Sequence, residues 1–443
     1  MFKSIYIHNY KCIKDLTVDF TYDQKKAPKG YKAFSNHVFF QTGPRICDRI
    51  VPVYSIYGAN ASGKSTVIKA VSLLKKLVMG GVKNVKYLPN LITTFKQEAD
   101  RTTISADFFC NKKLCNIKIS FNSTSILHEE LNINGINIYS VIDSKIRQLS
   151  EELSKYSGAL NDLFKNQCIN ALNHKQENAL LPKIRNNFPG ISKDVIAICD
   201  YIERDVFVLM KDDPLHYSLL LDGLSSTYVD VPQIDRKNKA LEVLVEVLNK
   251  LDVGITKLSI ENKSIEEYLS SRQGNVRNVP LSYITQRIFH SLSNNEPLFA
   301  DIVPYHDNVK GQKIEFDFDE ESSGTKRLIQ LILLFLYSLR SGKDLFIDEL
   351  DDSLHPLLLK EIVRMFKLKS FNIKSSQLIF NLHNTDLLSD DLLSPSEIAM
   401  LSYTKQNGSM LYRLSSSKVS KNSANFQKDY LRGDFGGIPF PYV

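Results

Sequence analysis

The chain has no apolar run long enough to cross a bilayer. Its longest, Leu328–Leu339 (LIQLILLFLYSL), falls far short of the ~20 residues a span requires. Gln330 and Ser338 also interrupt it, so a buried helix is the better reading and no membrane partner is expected. The N-terminal stretch MFKSIYIHNYKCIKDL scatters polar residues and lacks the apolar centre of a signal peptide. Cysteine is scarce: Cys12, Cys47, Cys110, Cys115, Cys168 and Cys199 show neither paired zinc spacing nor the density of a disulfide framework. They read as free thiols, and a reducing, cytoplasmic location is expected. No internal repeat or low-complexity tract is evident. Sustained heptads are missing too, which excludes long coiled-coil arms.

What remains is ordinary globular material, 43% hydrophobic and 24% charged over 443 residues, a length that calls for more than one substructure. The net charge of +7 permits nucleic acid as a partner without demanding it. Lysines cluster at Lys25–Lys32 and Lys75–Lys86, but no arginine-rich tract or interleaved aromatics accompany them, so they read as solvated faces.

Phe2–Ile7 and Leu16–Phe20 read as two strands joined by a turn around Asn9–Asp15. Residues 21–50, with Pro28, Gly30, Gly43 and Pro44, read as an exposed excursion. Val51–Tyr57 is a strand rich in β-branched and aromatic residues that runs directly into glycine. Val67, Ala70, Val71, Leu74 and Leu77 then repeat at the spacing of one helix face, and Gly80-Gly81 is expected to end that helix. Residues 102–141 read as a strand meander and 142–211 as helical and charged. A helix over Asn238–Leu251, a strand at Ile255–Ile260 and a polar loop at Glu261–Arg277 follow. From Ile302 onward short strands alternate with helices, the pattern of a parallel α/β layer.

Four motifs carry chemistry. Gly58-Ala-Asn-Ala-Ser-Gly-Lys-Ser65 fits G-x-x-x-x-G-K-[ST] at every fixed position, with a strand before it and an amphipathic helix after it. Its glycines let successive N–H groups of Gly58, Asn60, Ala61, Ser62, Gly63 and Thr66 turn toward phosphate oxygens. Lys64 supplies a cation for the β- and γ-phosphates, and the Ser65 hydroxyl can ligate Mg²⁺. Asp344–Leu350 (DLFIDEL) is a short apolar strand that delivers two carboxylates at its C-terminal end, the edge where open parallel sheets bind ligands. Asp348 is placed to hold Mg²⁺ and Glu349 to polarise an attacking water. Glu321-Ser-Ser-Gly-Thr-Lys-Arg327 opens the apolar helix with backbone N–H groups and a hydroxyl that suit an anion, although Ser322 or Ser323 serves equally as an ordinary N-cap. Gln377–Leu382 leads to His383, which is placed to bond a γ-phosphate or the attacking water.

Taken in this order, GANASGKS, a long insertion, ESSGTKR, DLFIDELDDSLHP and QLIFNLHNTDLL resemble the ABC ATPases of the SMC, RecF and OLD group. The likeness is greatest to the stand-alone ATPases of bacterial anti-phage and abortive-infection systems, such as AbiLi and the ATPase subunits of PARIS and Septu. The ending Tyr430–Pro439 looks like the C-terminal signature of that group. The resemblance implies an α/β fold: an ABC-type, P-loop NTPase head with an N-terminal antiparallel β subdomain and a helical insertion. It implies an N-terminal lobe over 1–141, an insertion for partner docking or sensing over 142–254, and a C-terminal lobe over 255–443. By the same resemblance Ser323 and Gly324 are the signature that contacts nucleotide on another subunit. Asp352 and Ser353 lie in the D-loop, and His383 is the switch histidine. Two departures stand out: ESSGTKR in place of LSGGQ, and His355-Pro356 after the D-loop, both of which the RecF and OLD side tolerates. Gln97 is a weak candidate for the Q-loop.

The function so implied is a Mg²⁺-dependent ATPase that forms a homodimer or higher homo-oligomer on ATP, with Lys64, Glu349 and His383 as its catalytic residues. It would act as the sensor and regulator of a defence complex. OLD nucleases append a TOPRIM domain after the ATPase, for which residues 384–443 leave no room, and no HNH-like Cys/His cluster is present. A separately encoded effector, a nuclease or toxin, is therefore expected. The alternative is a RecF-like DNA-repair ATPase that clamps duplex DNA. A transporter subunit fits less well, because the insertion before the signature is large.

Overall fold

The computed structural model describes residues 1–22, 49–86, 101–155, 158–160, 176–187, 192–211, 213, 215, 217–251, 253–263, 299–352, 354–389, 392–416 and 425–435. They form two compact units, one of residues 1–213 with 342–443 and one of residues 214–341. Most of the 21–50 excursion, Gln97, Ser353, the Lys25–Lys32 cluster, most of the Glu261–Arg277 loop and the end of the C-terminal signature beyond residue 435 lie outside the described residues.

The first unit is built on two sheets. One is antiparallel, with seven strands: β1 (Phe2–Tyr10), β2 (Ile13–Asp19), β4 (Thr102–Cys110), β5 (Lys113–Phe121), β6 (Ile126–Ile133), β7 (Ile136–Ile142) and β8 (Lys145–Leu149). Their order is β2-β1-β4-β5-β6-β7-β8. The side chains alternate: Ile5 and Ile7, Ile104 and Ala106, Ile117 and Ile119 point inward, as the two-residue period of a half-buried strand requires. Three of its hairpins turn through paired left-handed residues, Asn111-Lys112, Asn134-Gly135 and Asp143-Ser144, the conformation that matches the right-handed twist of the strands.

The other sheet has the order β16-β15-β3-β14-β13-β9. Its strands are β3 (Val53–Gly58), β9 (Val206–Leu209), β13 (Asp344–Ile347), β14 (Leu378–Asn381), β15 (Ile398–Thr404) and β16 (Gly408–Arg413). From β15 to β9 every pairing is parallel, and β16 closes the edge antiparallel. The continuous apolar stretches in β3, β13 and β14 reflect burial on both faces. Helix α1 (Lys64–Lys86) follows β3 and buries Val67, Val71, Leu74 and Leu77. These side chains share one core with Ile5, Ile117, Phe346 and Ile379, so both sheets and the helix fold around a common interior.

One reading of the sequence holds and one is corrected. The helix that opens at Lys64 does end at Gly80-Gly81: Gly81 leaves helical geometry at φ 66° and ψ −166°, and a second short helical stretch follows to Lys86. There the N–H of Val82 donates to the Glu177 carbonyl at 2.6 Å, and a Cβ on Gly81 would stand 2.2 Å from that same oxygen. The segment 142–211, by contrast, is not wholly helical. It begins with β8, polar because it is the last strand of its sheet, and ends with β9. Between them lie α2 (Leu181–Asn187) and α3 (Lys193–Asp200).

The second unit packs α4 (Tyr217–Ser226), α5 (Arg236–Lys250) and α6 (Ser323–Ser341) with an antiparallel sheet of β10 (Ile255–Lys263), β11 (Phe299–Asp307) and β12 (Lys313–Glu315). The apolar run read as a buried helix is α6, with Leu328 to Phe335 mostly inside. No helix among the described residues is long and apolar enough to cross a membrane. The architecture is the mixed α/β fold of a P-loop NTPase: a parallel sheet fed by the phosphate loop and an antiparallel β subdomain, with helices and a small sheet in the second unit.

Candidate functional site

β3 ends at Gly58, and the loop to α1 is fixed by close backbone approaches. A Cβ on Gly58 would lie 2.2 Å from the Leu401 carbonyl of the neighbouring strand. Gly63 has φ +108°, and a Cβ there would meet Ser409 Oγ at 2.5 Å. Ser409, buried on β16, donates through Oγ to the Ser62 carbonyl at 2.6 Å and through its N–H to the Cys12 carbonyl at 2.8 Å. The β16 strand is thus the floor of the loop. Ala61 is held at φ 62°, a strained conformation for a residue with a Cβ. The N–H groups of Thr66 and Val67 both bond to the Gly63 carbonyl, which opens α1 directly behind the loop.

Lys64 Nζ donates to the carbonyls of Gly58 at 2.7 Å and Ala59 at 3.2 Å. Burial pulls its pKa below the ordinary lysine value, although Glu349, Asp351 and Asp348 pull it upward. A cleft of about 520 Å³ lies over the loop, within the size range of small-ligand sites. Asn60, Ala61, Gly63, Lys64, Ser65 and Thr66 line one part of it; Glu349, His383 and Cys12 line the rest. All of these residues come from the first unit.

The acidic pair sits where β13 ends. Asp348 is buried, and its N–H continues the sheet pairing by donating to the Leu209 carbonyl at 2.9 Å. Asn381, at the end of the adjacent strand β14, holds both acids. Its Nδ2 donates to Asp348 Oδ1 at 2.6 Å, and its Oδ1 accepts from the Glu349 N–H at 2.8 Å. Glu349 itself has φ 52°. Its carboxylate lies 2.7 Å from Lys211 Nζ and 3.6 Å from His383 Nε2. The hydrogen bond from Lys211 lowers the Glu349 pKa, opposed by partial burial and assisted by His383. Asp351 Oδ2 accepts from the N–H groups of His383 at 2.9 Å and Asn384 at 2.7 Å, which fixes the loop that carries the histidine. The next residues of that loop are held by Gln427 on α8 (Phe426–Arg432), whose Nε2 donates to Thr385 Oγ1 and Asp386 Oδ1, each at 3.1 Å.

Asp352 is exposed, 3.9 Å from Lys211 Nζ. His355 caps α7 (Pro356–Lys367): its Nδ1 accepts from the Leu357 N–H, with proline in the first turn. Ser323 and Gly324 belong to the second unit, where they begin α6. Ser322 is the N-cap, since its Oγ accepts from the Thr325 N–H at 3.0 Å. The preceding Glu321 bonds His306 Nε2 at 2.5 Å.

The family model described as "AAA domain, putative AbiEii toxin, Type IV TA system" matches residues 144–390. The chain belongs to this family. The matched span of this AAA domain holds ESSGTKR, the acidic pair and His383, while the phosphate loop precedes it. Membership in an ATPase family carries nucleotide binding with it. Among solved structures, the chain is similar to an SMC head bound to the C-winged helix domain of ScpA, at 14% identity and TM-score 0.46, covering 94% of this chain and 98% of that one. It is similar also to the SMC head domain from Thermotoga maritima, at 14% identity and TM-score 0.39, covering 93% and 98%. No curated protein matches the chain.

Four residues of the site escape a motif reading. Asn381 closes a buried apolar strand beside the acidic pair, and that position is its one sequence signal. Asp351 lies inside a run of acids. Ser409 and Lys211 carry no signal, because only the tertiary fold brings them to the loop and to Glu349.

Proposed function

We propose that the chain binds ATP with Mg²⁺ in the cleft over the phosphate loop and hydrolyses it. The observation that carries this reading is that Lys64 and Ser65 share one cleft with Glu349 and His383, although nearly three hundred residues separate the two pairs in sequence. Ser65 and Asp348 offer only oxygen donors, the set that suits Mg²⁺, and Asn381 fixes the aspartate. When bound, Mg²⁺ would neutralise charge on the phosphates. Lys64 would exchange its carbonyl partners for phosphate oxygens. Glu349 would orient the attacking water, and His383 would bond the γ-phosphate or that water.

Ser323 and Gly324 are then assigned to the nucleotide of a second copy, with Asp352 at the same interface, so the chain assembles as an ATP-gated dimer. The resemblance to phage-defence ATPases supports a regulatory role beside a separate effector, a nuclease or toxin, in the cytoplasm. Residues 142–254 are the proposed docking or sensing segment. The net charge of +7 favours one alternative, a RecF-like clamp on DNA, whose affinity would fall steeply with salt.

The test is phosphate release from ATP by the purified chain with Mg²⁺. K64M should lose both ATP binding and turnover, whereas E349Q should keep binding and lose turnover by a factor of about 100 or more. Wild-type chain that neither binds ATP nor releases phosphate would contradict the reading.

A further inference from the structure

Glu349 is a water-orienting group whose carboxylate already has a partner. Lys211 Nζ stands 2.7 Å from its Oε2, and His383 Nε2 lies 3.6 Å from Oε1. The backbone on both sides of this pair is fixed. Leu209, two residues before Lys211, lies in parallel register with Ile347, two residues before Glu349. The Leu209 carbonyl takes the Asp348 N–H, and the Glu349 N–H is tied to Asn381. Immediately after β9 the chain is folded back by bonds between Met210 and Asp213: the Met210 N–H donates to Asp213 Oδ2 at 2.8 Å, and the Asp213 N–H to the Met210 carbonyl at 3.0 Å. Lys211 is therefore delivered to Glu349 by the sheet.

We propose that Lys211 is a positioning residue that holds the Glu349 carboxylate in a resting place, and that hydrolysis requires its release. An ammonium on Oε2 competes with the water that the same oxygen must orient. The restraint is releasable. The Lys211 side chain is 45% exposed and that of Glu349 23%, and a half-solvated ion pair is weak enough for a bound ligand to break. Release also leaves no stranded charge, because Asp352 Oδ1 is already 3.9 Å from the same ammonium. Asp352 sits in the segment assigned to the interface with a second copy, so closure of that interface would act on the carboxylate that takes over Lys211. The inference rests on the ATPase reading above.

The test compares wild type, K211M and K211R at saturating ATP and Mg²⁺, with ATP affinity measured separately by calorimetry. K211M should raise kcat about two- to five-fold with the ATP Kd unchanged. K211R, which keeps a cation, should bring turnover back toward wild type, and K211M should have no effect in an E349Q background. An unchanged or lower kcat for K211M, in a chain that melts like wild type, would overturn the proposal. That result is distinguishable from failure of the ATPase reading, in which wild type itself shows no turnover, or E349Q turns over like wild type.

Discussion

Asn381 donates to Asp348 across the gap between two adjacent parallel strands, at 2.6 Å, and both residues are buried. The same carboxamide accepts the Glu349 N–H, so one neutral side chain sets the direction of both acids. An amide suits this position because it can donate to the carboxylate and accept from the backbone at once.

Asn381→Ala leaves a buried carboxylate and a backbone N–H without their partner. The expected cost is about 2–4 kcal/mol of stability. Turnover should fall roughly 10- to 100-fold, because misplacing a reacting group by an ångström is enough to do so. Urea unfolding and a steady-state phosphate assay on the same preparation check both numbers.

Ser409→Ala removes the bond that holds the Ser62 carbonyl from below. The lost hydrogen bond should cost about 1 kcal/mol. The larger effect should be on ATP, since the loop loses part of its floor. ATP at 100 times Kd should stabilise wild type by about 2.7 kcal/mol. The variant at the same ATP concentration should gain less, and equal gains in a thermal melt would count against the supporting role.

Lys75 gives a pH-dependent prediction. Burial, with the nearby Lys343 adding to it, lowers its pKa to about 8, and its Nζ donates to the Val206 carbonyl at 2.6 Å. Below pH 8 the proton is held in both folded and unfolded chains, so folding carries the full penalty of burying charge. Between pH 8 and the ordinary lysine value only the unfolded chain holds the proton, and rising pH favours the folded state. This contribution is on the order of 3 kcal/mol. Lys75→Met has no such window. Its stability relative to wild type should therefore decline as pH rises from 7 to 10, as read from urea midpoints.

The phosphate loop, its strand and its helix were legible because short-range chemistry dictates them: glycine where the backbone passes within 2.2 Å of Leu401, lysine and serine at fixed offsets. The acidic pair was legible because three apolar residues, Leu345, Phe346 and Ile347, announce the end of a short buried strand. His383 was legible from its place after β14. What escaped depends on contacts distant in sequence. β9 is four residues long, set among helices, and only its parallel register with β13 makes it a strand. β8 is polar because it lies at a sheet edge, and its composition therefore resembles the helical segment after it. Lys211 and Asn381 are single polar residues whose partners are set by strand order, which no local pattern encodes.

ATP is proposed to bring two copies together, because the resemblance to ABC ATPases assigns Ser323-Gly324 to the nucleotide bound by another subunit. The most direct measurement is the molar mass of the E349Q chain in solution by light scattering, with and without saturating ATP and Mg²⁺. The account predicts a shift from monomer to dimer on ATP, abolished by K64M. An E349Q chain that binds ATP and keeps the mass of a monomer would contradict it.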